Sequence, residues 1–219
     1  QTDWPANLIQ TDFPLWNDQS GKGLEPGLAQ FLEAGPPPVA FAAGTGNLHG
    51  ADFFQAATDA CQQAGLRGIL LTKFAEQLPK SLPENILHVP YVPLDELLPS
   101  CAALVHHGGI GTMSQALAAG IPQLIMPLAH DQFDNAARVK ALGCGDSLVP
   151  SKFTAPRVAK MLLKLVDPSH FRRACASIRN RMQSHKGLAA AVDTIVTTVP
   201  ETTRPAKTNS VLAGLPFER

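Results

Sequence analysis

The chain lacks several features that mark common classes of protein. It contains no run of basic residues, and its 18 basic and 18 acidic side chains give a formal net charge of zero. Because binding to a nucleic-acid backbone depends on clustered Lys and Arg, a nucleic-acid partner is disfavoured. The longest apolar runs are strand-sized, far short of the ~20 residues that a membrane-spanning helix needs. We therefore expect no membrane span.

Cysteines are few, and their spacing excludes two further kinds of site. The four cysteines stand at positions 61, 101, 144 and 175, and no pair has CxxC spacing. Neither a zinc site nor a redox motif is indicated, and no metal is expected. We expect reduced, mostly buried thiols in a cytoplasmic protein. The chain starts at Gln1 with neither a signal peptide nor an initiating Met, which favours a fragment of a longer protein.

What is present is an ordinary globular composition, with 45% apolar and 16% charged residues. Residues 1–37 are rich in Pro, Gly, Asn and Asp and are predicted to form a linker, residues 38–199 one domain, and residues 200–219 a polar tail. Strands are predicted at 39–43, 68–72, 85–89, 103–106, 122–126 and 147–149. Helices are predicted at 26–33, 52–64, 94–98, 112–119, 133–142, 155–166, 169–182 and 188–197. This alternation predicts an α/β fold, a Rossmann-like parallel sheet with helices on both faces.

The most informative stretch is residues 104–145, LVHHGGIGTMSQALAAGIPQLIMPLAHDQFDNAARVKALGCG. Gly108, Gly109 and Gly111 allow a tight turn after a strand, Thr112 is predicted to cap the following helix, and Gly120 to end it. Unpaired N–H groups and the positive dipole of a helix N-terminus stabilise a diphosphate. The stretch therefore predicts a phosphate site at the carboxyl edge of the sheet.

His106 and His107 end the strand before this turn. We expect His107 to contact phosphate, the alternative being a histidine whose hydrogen bonds are satisfied at a strand end. His106 would point to the opposite face of the strand and is given a structural role.

A second polar cluster follows the next strand at the same edge. Asp131 and Gln132 supply a carboxylate and an amide, which together can accept from and donate to adjacent sugar hydroxyls. The alternative is that Asp131 only caps the following helix. Asn135 lies one turn further on the same face and is expected to join them.

The whole stretch resembles the donor-binding motif of family 1 glycosyltransferases of GT-B architecture, nearest to the group of rhamnosyltransferases, antibiotic glycosyltransferases and UDP-glucuronosyltransferases. The residues that fall at that family's spacing are His107, Gly109, Thr112, Gly120, Pro122, Pro127, Asp131 and Gln132. The resemblance implies that residues 38–199 are a nucleotide-sugar donor-binding domain, the C-terminal half of a GT-B fold.

The resemblance also implies roles for individual residues. The diphosphate would be held by His107, Gly109, Gly111 and Thr112, with Thr45 in the loop after the first strand; the base and ribose by Tyr91, Val92 and Gln115; the donor sugar by Asp131, Gln132 and Asn135. Gln115 stands where plant relatives carry a Glu that holds the ribose hydroxyls, so the charge-assisted component is lost. For Tyr91, packing at a strand end is an equal alternative.

The implied activity of the full-length protein is transfer of a hexosyl group from a UDP- or dTDP-sugar to an acceptor hydroxyl, with inversion and with no cofactor or metal. The family's general base is a histidine of an N-terminal domain, so this chain would contain no catalytic residue and would be inactive alone. A small-molecule or lipid acceptor would bind through that domain.

The alternative is a stand-alone module that binds a nucleotide sugar or a dinucleotide without transferase activity. Gly44, Gly46 and Gly50 loosely imitate a dinucleotide-binding fingerprint. Against this, their spacing is GxGxxxG, and Thr72-Lys73 ends the second strand where an acidic residue for the ribose belongs.

Overall fold

The structure, a computed structural model, describes residues 4–11, 13–15, 17, 23–44, 50–183 and 187–198. These residues fall into two compact units. The smaller unit takes residues from both chain ends, up to Pro14 and from Lys186 onward. The larger unit, from Leu15 to His185, holds the sheet and the candidate site. The predicted boundaries at residues 37 and 199 stay predictions, and the tail at 200–219 lies outside the described residues.

The larger unit is built on a six-stranded parallel sheet in the order β3-β2-β1-β4-β5-β6. The strands are β1 (Val39–Ala42), β2 (Gly68–Leu71), β3 (Ile86–Val89), β4 (Ala103–His106), β5 (Gln123–Ile125) and β6 (Gly145–Ser147). The order reverses between β1 and β4, and the loops that leave these two neighbouring strands diverge there. Open α/β sheets bind ligands in the crevice at this point.

Helices precede, connect and follow the strands. They are α1 (Pro26–Glu33), α2 (Ala51–Ala64), α3 (Leu94–Leu97), α4 (Ile110–Ala119), α5 (Gln132–Ala141), α6 (Ala155–Val166), α7 (Arg172–Gln183) and, in the smaller unit, α8 (Gly187–Thr198). Short 3₁₀ turns lie at Ala75–Gln77, Leu98–Ser100 and Pro150–Lys152. The predicted α/β fold is confirmed, and α1, β4 and α6 have the predicted bounds.

Hydrophobic clusters cover both faces of the sheet. Phe41 of β1 packs in one cluster with Phe54 of α2 and Leu162 of α6, all fully buried. Ala40, the next residue of β1, packs in the other cluster with Leu28 of α1. Because successive strand residues point to opposite faces, the two clusters lie on opposite sides of the sheet. The sheet edge that carries the site is thereby held rigidly from both sides.

Most of the other elements differ from the prediction by one residue at an end, and α7 begins at Arg172 where residue 169 was predicted. Two further differences, at β6 and α4, have a clear physical reason. The last strand was predicted at 147–149 but is Gly145–Ser147. A Cβ at Gly145 would lie 2.0 Å from the backbone oxygen of Gln123, so only glycine permits this pairing with β5. The helix α4 begins at Ile110, with Gly109 rather than Thr112 at the N-cap position. The prediction that Thr112 caps the helix is therefore wrong, because Thr112 is already the third helical residue.

All four cysteines are buried and unpaired, as predicted. Burial raises the pKa of Cys61 and of Cys101 to about 12.

Candidate functional site

The candidate site begins with the turn after β4, which the buried side chain of His106 helps to hold in place. Gly108 has φ 96°, a backbone conformation that residues with a side chain rarely adopt. A Cβ there would also lie 2.8 Å from Cγ2 of Ile125. The Gly108 N–H donates to Nδ1 of His106 at 3.1 Å. The turn is thus specific to glycine and is fixed by the histidine before it.

His106 is fully buried and neutral. Because its Nδ1 accepts from Gly108, the proton sits on Nε2, which donates to Oε1 of Gln123 at 2.9 Å. Burial lowers the pKa of His106 to about 3, although the bond to Gln123 opposes this. The structural role predicted for His106 agrees with these contacts. Its partner Gln123 was not anticipated, and the available signal was a polar residue inside an otherwise apolar strand.

The imidazole of His107 lies between the ends of β1 and β4. A Cβ on Gly44 would be 3.0 Å from its Nδ1, and a Cβ on Gly109 would be 2.5 Å from its Nε2. Both glycines are therefore needed for the ring to lie there. Nδ1 is buried, and no side chain or backbone group of the described residues makes a hydrogen bond of ordinary geometry with it. His107 is half-buried, so part of the residue is exposed to solvent.

The charge state of His107 is set by opposing effects. Burial lowers its pKa, whereas the Ala42 carbonyl and the Asp131 carboxylate raise it, with burial the strongest effect. The imidazole is therefore mostly neutral at neutral pH when no ligand is bound. A bound anion would favour the protonated form.

The N-terminus of α4 lies directly beside this ring. The first helical hydrogen bond runs from Met113 N–H to the Gly109 oxygen at 2.9 Å. The amides of Ile110, Gly111 and Thr112 therefore have no intrahelical acceptor. Among the described residues, and apart from the backbone of α4 and the two neighbours of Gly111 in the chain, no heavy atom lies within 4 Å of a Cβ built on Gly111. An anion can approach these amides closely, and the helix dipole favours its charge.

The loop after β5 forms the other wall of the site. His130 has φ 55°, a left-handed conformation that is uncommon outside glycine and clusters at functional positions. Gln132 Oε1 accepts from the backbone N–H groups of Leu128 at 2.7 Å and of Ala129 at 3.1 Å. The Gln132 oxygen is thus committed to shaping this loop, and its amide nitrogen is the group left for a ligand.

Asp131 and Asn135 interact with each other. Asn135 Nδ2 donates to Asp131 Oδ2 at 2.8 Å and to the Gly108 oxygen at 2.9 Å. Asp131 is exposed and occupies the N-cap position of α5, but its side chain makes no capping hydrogen bond. The alternative of a purely capping aspartate is therefore not supported. Asn135 is only 5% exposed, so the two polar loops are joined through a buried amide.

The remaining predicted residues lie further along the same edge or outside the described residues. Tyr91 follows β3 and is 53% exposed, whereas the Val92 side chain is buried. The Gln115 amide on α4 donates to Asn17 Oδ1 at 3.1 Å. Thr45 lies outside the described residues. The predicted roles of Tyr91, Val92, Gln115 and Thr45 stay predictions.

The described part of the chain offers neither a metal site nor a membrane span. No cluster of three or more His, Cys, Asp or Glu side chains there could hold a metal ion. None of the helices there has the length and apolar character needed to cross a membrane.

The sequence of this chain is similar to that of a known protein family. The family described as "Erythromycin biosynthesis protein CIII-like, C-terminal domain" matches residues 68–201, more than half of the chain. The O-mycaminosyltylonolide 6-deoxyallosyltransferase of Streptomyces fradiae is 36% identical over 68% of this chain and 34% of that protein. The vancomycin aglycone glucosyltransferase of Amycolatopsis orientalis is 34% identical over 78% of this chain and 42% of that protein.

Solved structures of glycosyltransferases share the fold. The glycosyltransferase VinC in complex with dTDP is 30% identical, with a TM-score of 0.65, over 80% of this chain and 44% of VinC. The spinosyn forosaminyltransferase SpnP is 26% identical, with a TM-score of 0.71, over 86% of this chain and 50% of SpnP. The chain spans half or less of the length of each of these relatives.

The family match runs from β2 to α8. It therefore includes most of the six-stranded parallel sheet and the glycine turn at the point where the strand order reverses. The chain therefore belongs to the family of the erythromycin biosynthesis protein CIII-like C-terminal domain, whose relatives are antibiotic glycosyltransferases of the GT-B fold.

Proposed function

We propose that this chain is the nucleotide-sugar donor-binding domain of an inverting glycosyltransferase that transfers a hexosyl group from a UDP- or dTDP-sugar to an acceptor hydroxyl. The observation that carries the proposal is the juxtaposition of His107, Gly44 and the N-terminus of α4 at the reversal point of the sheet. The VinC structure, whose fold this chain shares, contains dTDP. A nucleoside diphosphate is the ligand class that fits both facts.

In the proposed reaction, the acceptor oxygen attacks the anomeric carbon and the bond from that carbon to the diphosphate oxygen breaks. Negative charge then develops on the leaving diphosphate. The amides of Ile110, Gly111 and Thr112 and the imidazole of His107 would stabilise that charge, so the proposal needs no metal and no cofactor. The proton of the acceptor hydroxyl would pass to a base outside this chain.

The donor sugar would project toward the loop after β5. Asp131 Oδ2 is occupied by Asn135, so Oδ1 is the oxygen available to accept from a sugar hydroxyl. The Gln132 amide nitrogen could donate to a neighbouring hydroxyl, because only the oxygen of that amide is engaged with the loop. The exposed Tyr91 ring would stack on the base, with backbone groups of Val92 at the base edge and Gln115 at the ribose.

A calorimetric titration tests the binding proposal directly. The chain is titrated with UDP, dTDP, uridine and thymidine at low salt. We expect weak binding of at least one diphosphate and weaker binding of its nucleoside, because only half of a two-domain cleft is present. The absence of any heat or thermal shift with both diphosphates at millimolar concentration would overturn the proposal.

A second test concerns activity. Inverting transfer requires a base within hydrogen-bond reach of the acceptor and a cleft closed to water. We propose that the isolated chain binds a donor but transfers no sugar, and that transfer appears when a contiguous N-terminal domain of similar size is restored. Acceptor glycosylation at enzymatic rates by the isolated chain would show that the catalytic base lies within it.

A further inference from the structure

Both polar backbone groups of Gly108 are held by buried side chains from different elements. His106, the last residue of β4, accepts from the Gly108 N–H at 3.1 Å. Asn135, on α5, donates to the Gly108 oxygen at 2.9 Å. His106 is fully buried and Asn135 is 5% exposed. We call His106, Gly108 and Asn135 the Gly108 clamp.

The Gly108 clamp fixes two successive peptide planes. In a trans peptide the C=O and the following N–H point in opposite directions, and the described residues contain no cis peptide. When Asn135 holds the Gly108 carbonyl toward the interior, the N–H of Gly109 must point the opposite way. Gly109 is the N-cap residue of α4, so this N–H directly precedes the amides of Ile110, Gly111 and Thr112 in the chain and would join them in the proposed diphosphate site.

The chemistry of the contact requires an amide at position 135. Its two partners, the Gly108 carbonyl and Asp131 Oδ2, are both acceptors. A carboxylate at this position has no proton to donate to either partner at neutral pH, and a hydroxyl has only one. The same requirement fixes the orientation of the Asn135 amide, with Nδ2 toward both partners. A sugar hydroxyl would therefore find that nitrogen already engaged.

We propose that Asn135 is a positioning residue that aims the Gly109 N–H at the donor diphosphate and orients Asp131 toward the sugar, and that it does not itself contact the sugar. This role rests on the proposed function of the site. It predicts that the diphosphate and sugar subsites are coupled, because one amide supports both. Loss of Asn135 should weaken binding of the diphosphate and also reduce the additional affinity that the sugar contributes.

The experiment compares Asn135→Ser with the matched control Asn85→Ser. Asn85 Nδ2 also donates to a backbone oxygen, that of Leu66 at 2.6 Å. Asn85 directly precedes β3, so it lies at the amino ends of the strands, whereas the candidate site lies at their carboxyl ends. Each variant is titrated calorimetrically with dTDP, thymidine and dTDP-glucose. Urea unfolding measures the stability of each variant, so that a general loss of folding is recognised.

We expect Asn135→Ser to weaken dTDP binding by about tenfold or more, the loss expected for one misaligned hydrogen bond to a charged group. Thymidine binding should be nearly unchanged, and dTDP-glucose should lose more affinity than dTDP. Asn85→Ser should leave all three affinities near those of the wild type. Equal losses in the two variants, or equal losses for dTDP and thymidine, would overturn the positioning role and leave the proposed function standing.

An NMR titration of the wild-type chain tests the same role without a variant. On addition of dTDP, the Gly109 amide should show one of the largest shifts, whereas the Asn135 side-chain amide protons should stay slow to exchange. An unshifted Gly109 amide in a chain that binds dTDP would overturn the positioning role. Failure of the wild-type chain to bind dTDP or UDP at all would instead overturn the proposed function, and the positioning role with it.

Discussion

Acid should destabilise this domain in part through the buried His106. His106 has a pKa of about 3 in the folded chain, against an ordinary value of 6.5. Because the folded state binds fewer protons than the unfolded state, the contribution of His106 to stability is complete above pH 6.5 and is lost progressively as the pH falls toward 3. The perturbation is therefore a change from pH 7.5 to pH 5.0. At pH 5.0 His106 is protonated in the unfolded chain and neutral in the folded chain.

The expected loss at pH 5.0 is about 2 kcal/mol, since each pH unit below 6.5 contributes ~1.36 kcal/mol. This figure depends little on the folded pKa, provided that it lies below 5. His106→Gln is the matched variant, because glutamine keeps a polar side chain but does not titrate. The free energy of unfolding in urea is measured by circular dichroism for both chains at both pH values.

The wild type should be more stable than His106→Gln at pH 7.5, and that advantage should shrink by about 2 kcal/mol at pH 5.0. Nitrogen-15 NMR should show His106 as the neutral Nε2–H tautomer throughout this range. A stability difference that is independent of pH, or a His106 ring that titrates near pH 6.5, would refute the reasoning.

Three further predictions concern the site. His107→Ala should weaken dTDP binding by ~1–3 kcal/mol and thymidine binding less, because one hydrogen bond to phosphate is lost; equal losses by calorimetry would make His107 structural. Asp131→Ala and Gln132→Ala should lower affinity for dTDP-glucose but not for dTDP; a collapse in melting temperature would indicate a structural role for the altered residue. Gly108→Ala should destabilise the chain to urea more than Gly65→Ala. Both glycines have positive φ, 96° and 64°, but among the described residues only the new Cβ at Gly108 would meet another side chain, Cγ2 of Ile125 at 2.8 Å. Equal destabilisation would contradict this.

The sequence predicted the sheet well because its strands are short apolar runs with clear ends. β4 was predicted residue for residue, and Gly120 ends α4 with φ 75° as its position after an apolar helix suggested. These features depend on local chemistry, namely burial of alternate side chains and the left-handed tolerance of glycine.

The sequence predicted less where a contact between distant residues decides the outcome. β6 begins at Gly145, because a backbone oxygen of β5 lies where a side chain would stand, and Gly-Asp-Ser carries no apolar strand signal. The start of α4 was predicted from the capping preference of Thr112, but the turn at Gly108 lets the helix begin two residues earlier. Local propensity cannot anticipate either contact.

The candidate site shows the same division. His107, Gly109, Asp131 and Gln132 were named from spacing, and the structure brings their loops to one edge of the sheet. That Asn135 faces the Gly108 carbonyl depends on how α5 packs against the turn, which a residue pattern does not contain. The residues that hold the site in shape were therefore harder to foresee than those that are predicted to contact a ligand.

The burial of the cysteines makes the described domain suited to site-directed labelling. With a pKa raised from 9.0 to about 12, Cys61 and Cys101 carry about a thousandfold less thiolate at neutral pH than an ordinary thiol does. Cys144 and Cys175 are also buried. A thiol reagent can therefore reach the four native cysteines only when the chain unfolds locally or globally. A single cysteine introduced on the exposed rim, for example at Leu128, should therefore accept a fluorophore selectively. The native protein already provides the unreactive background that such an experiment usually requires cysteine removal to obtain.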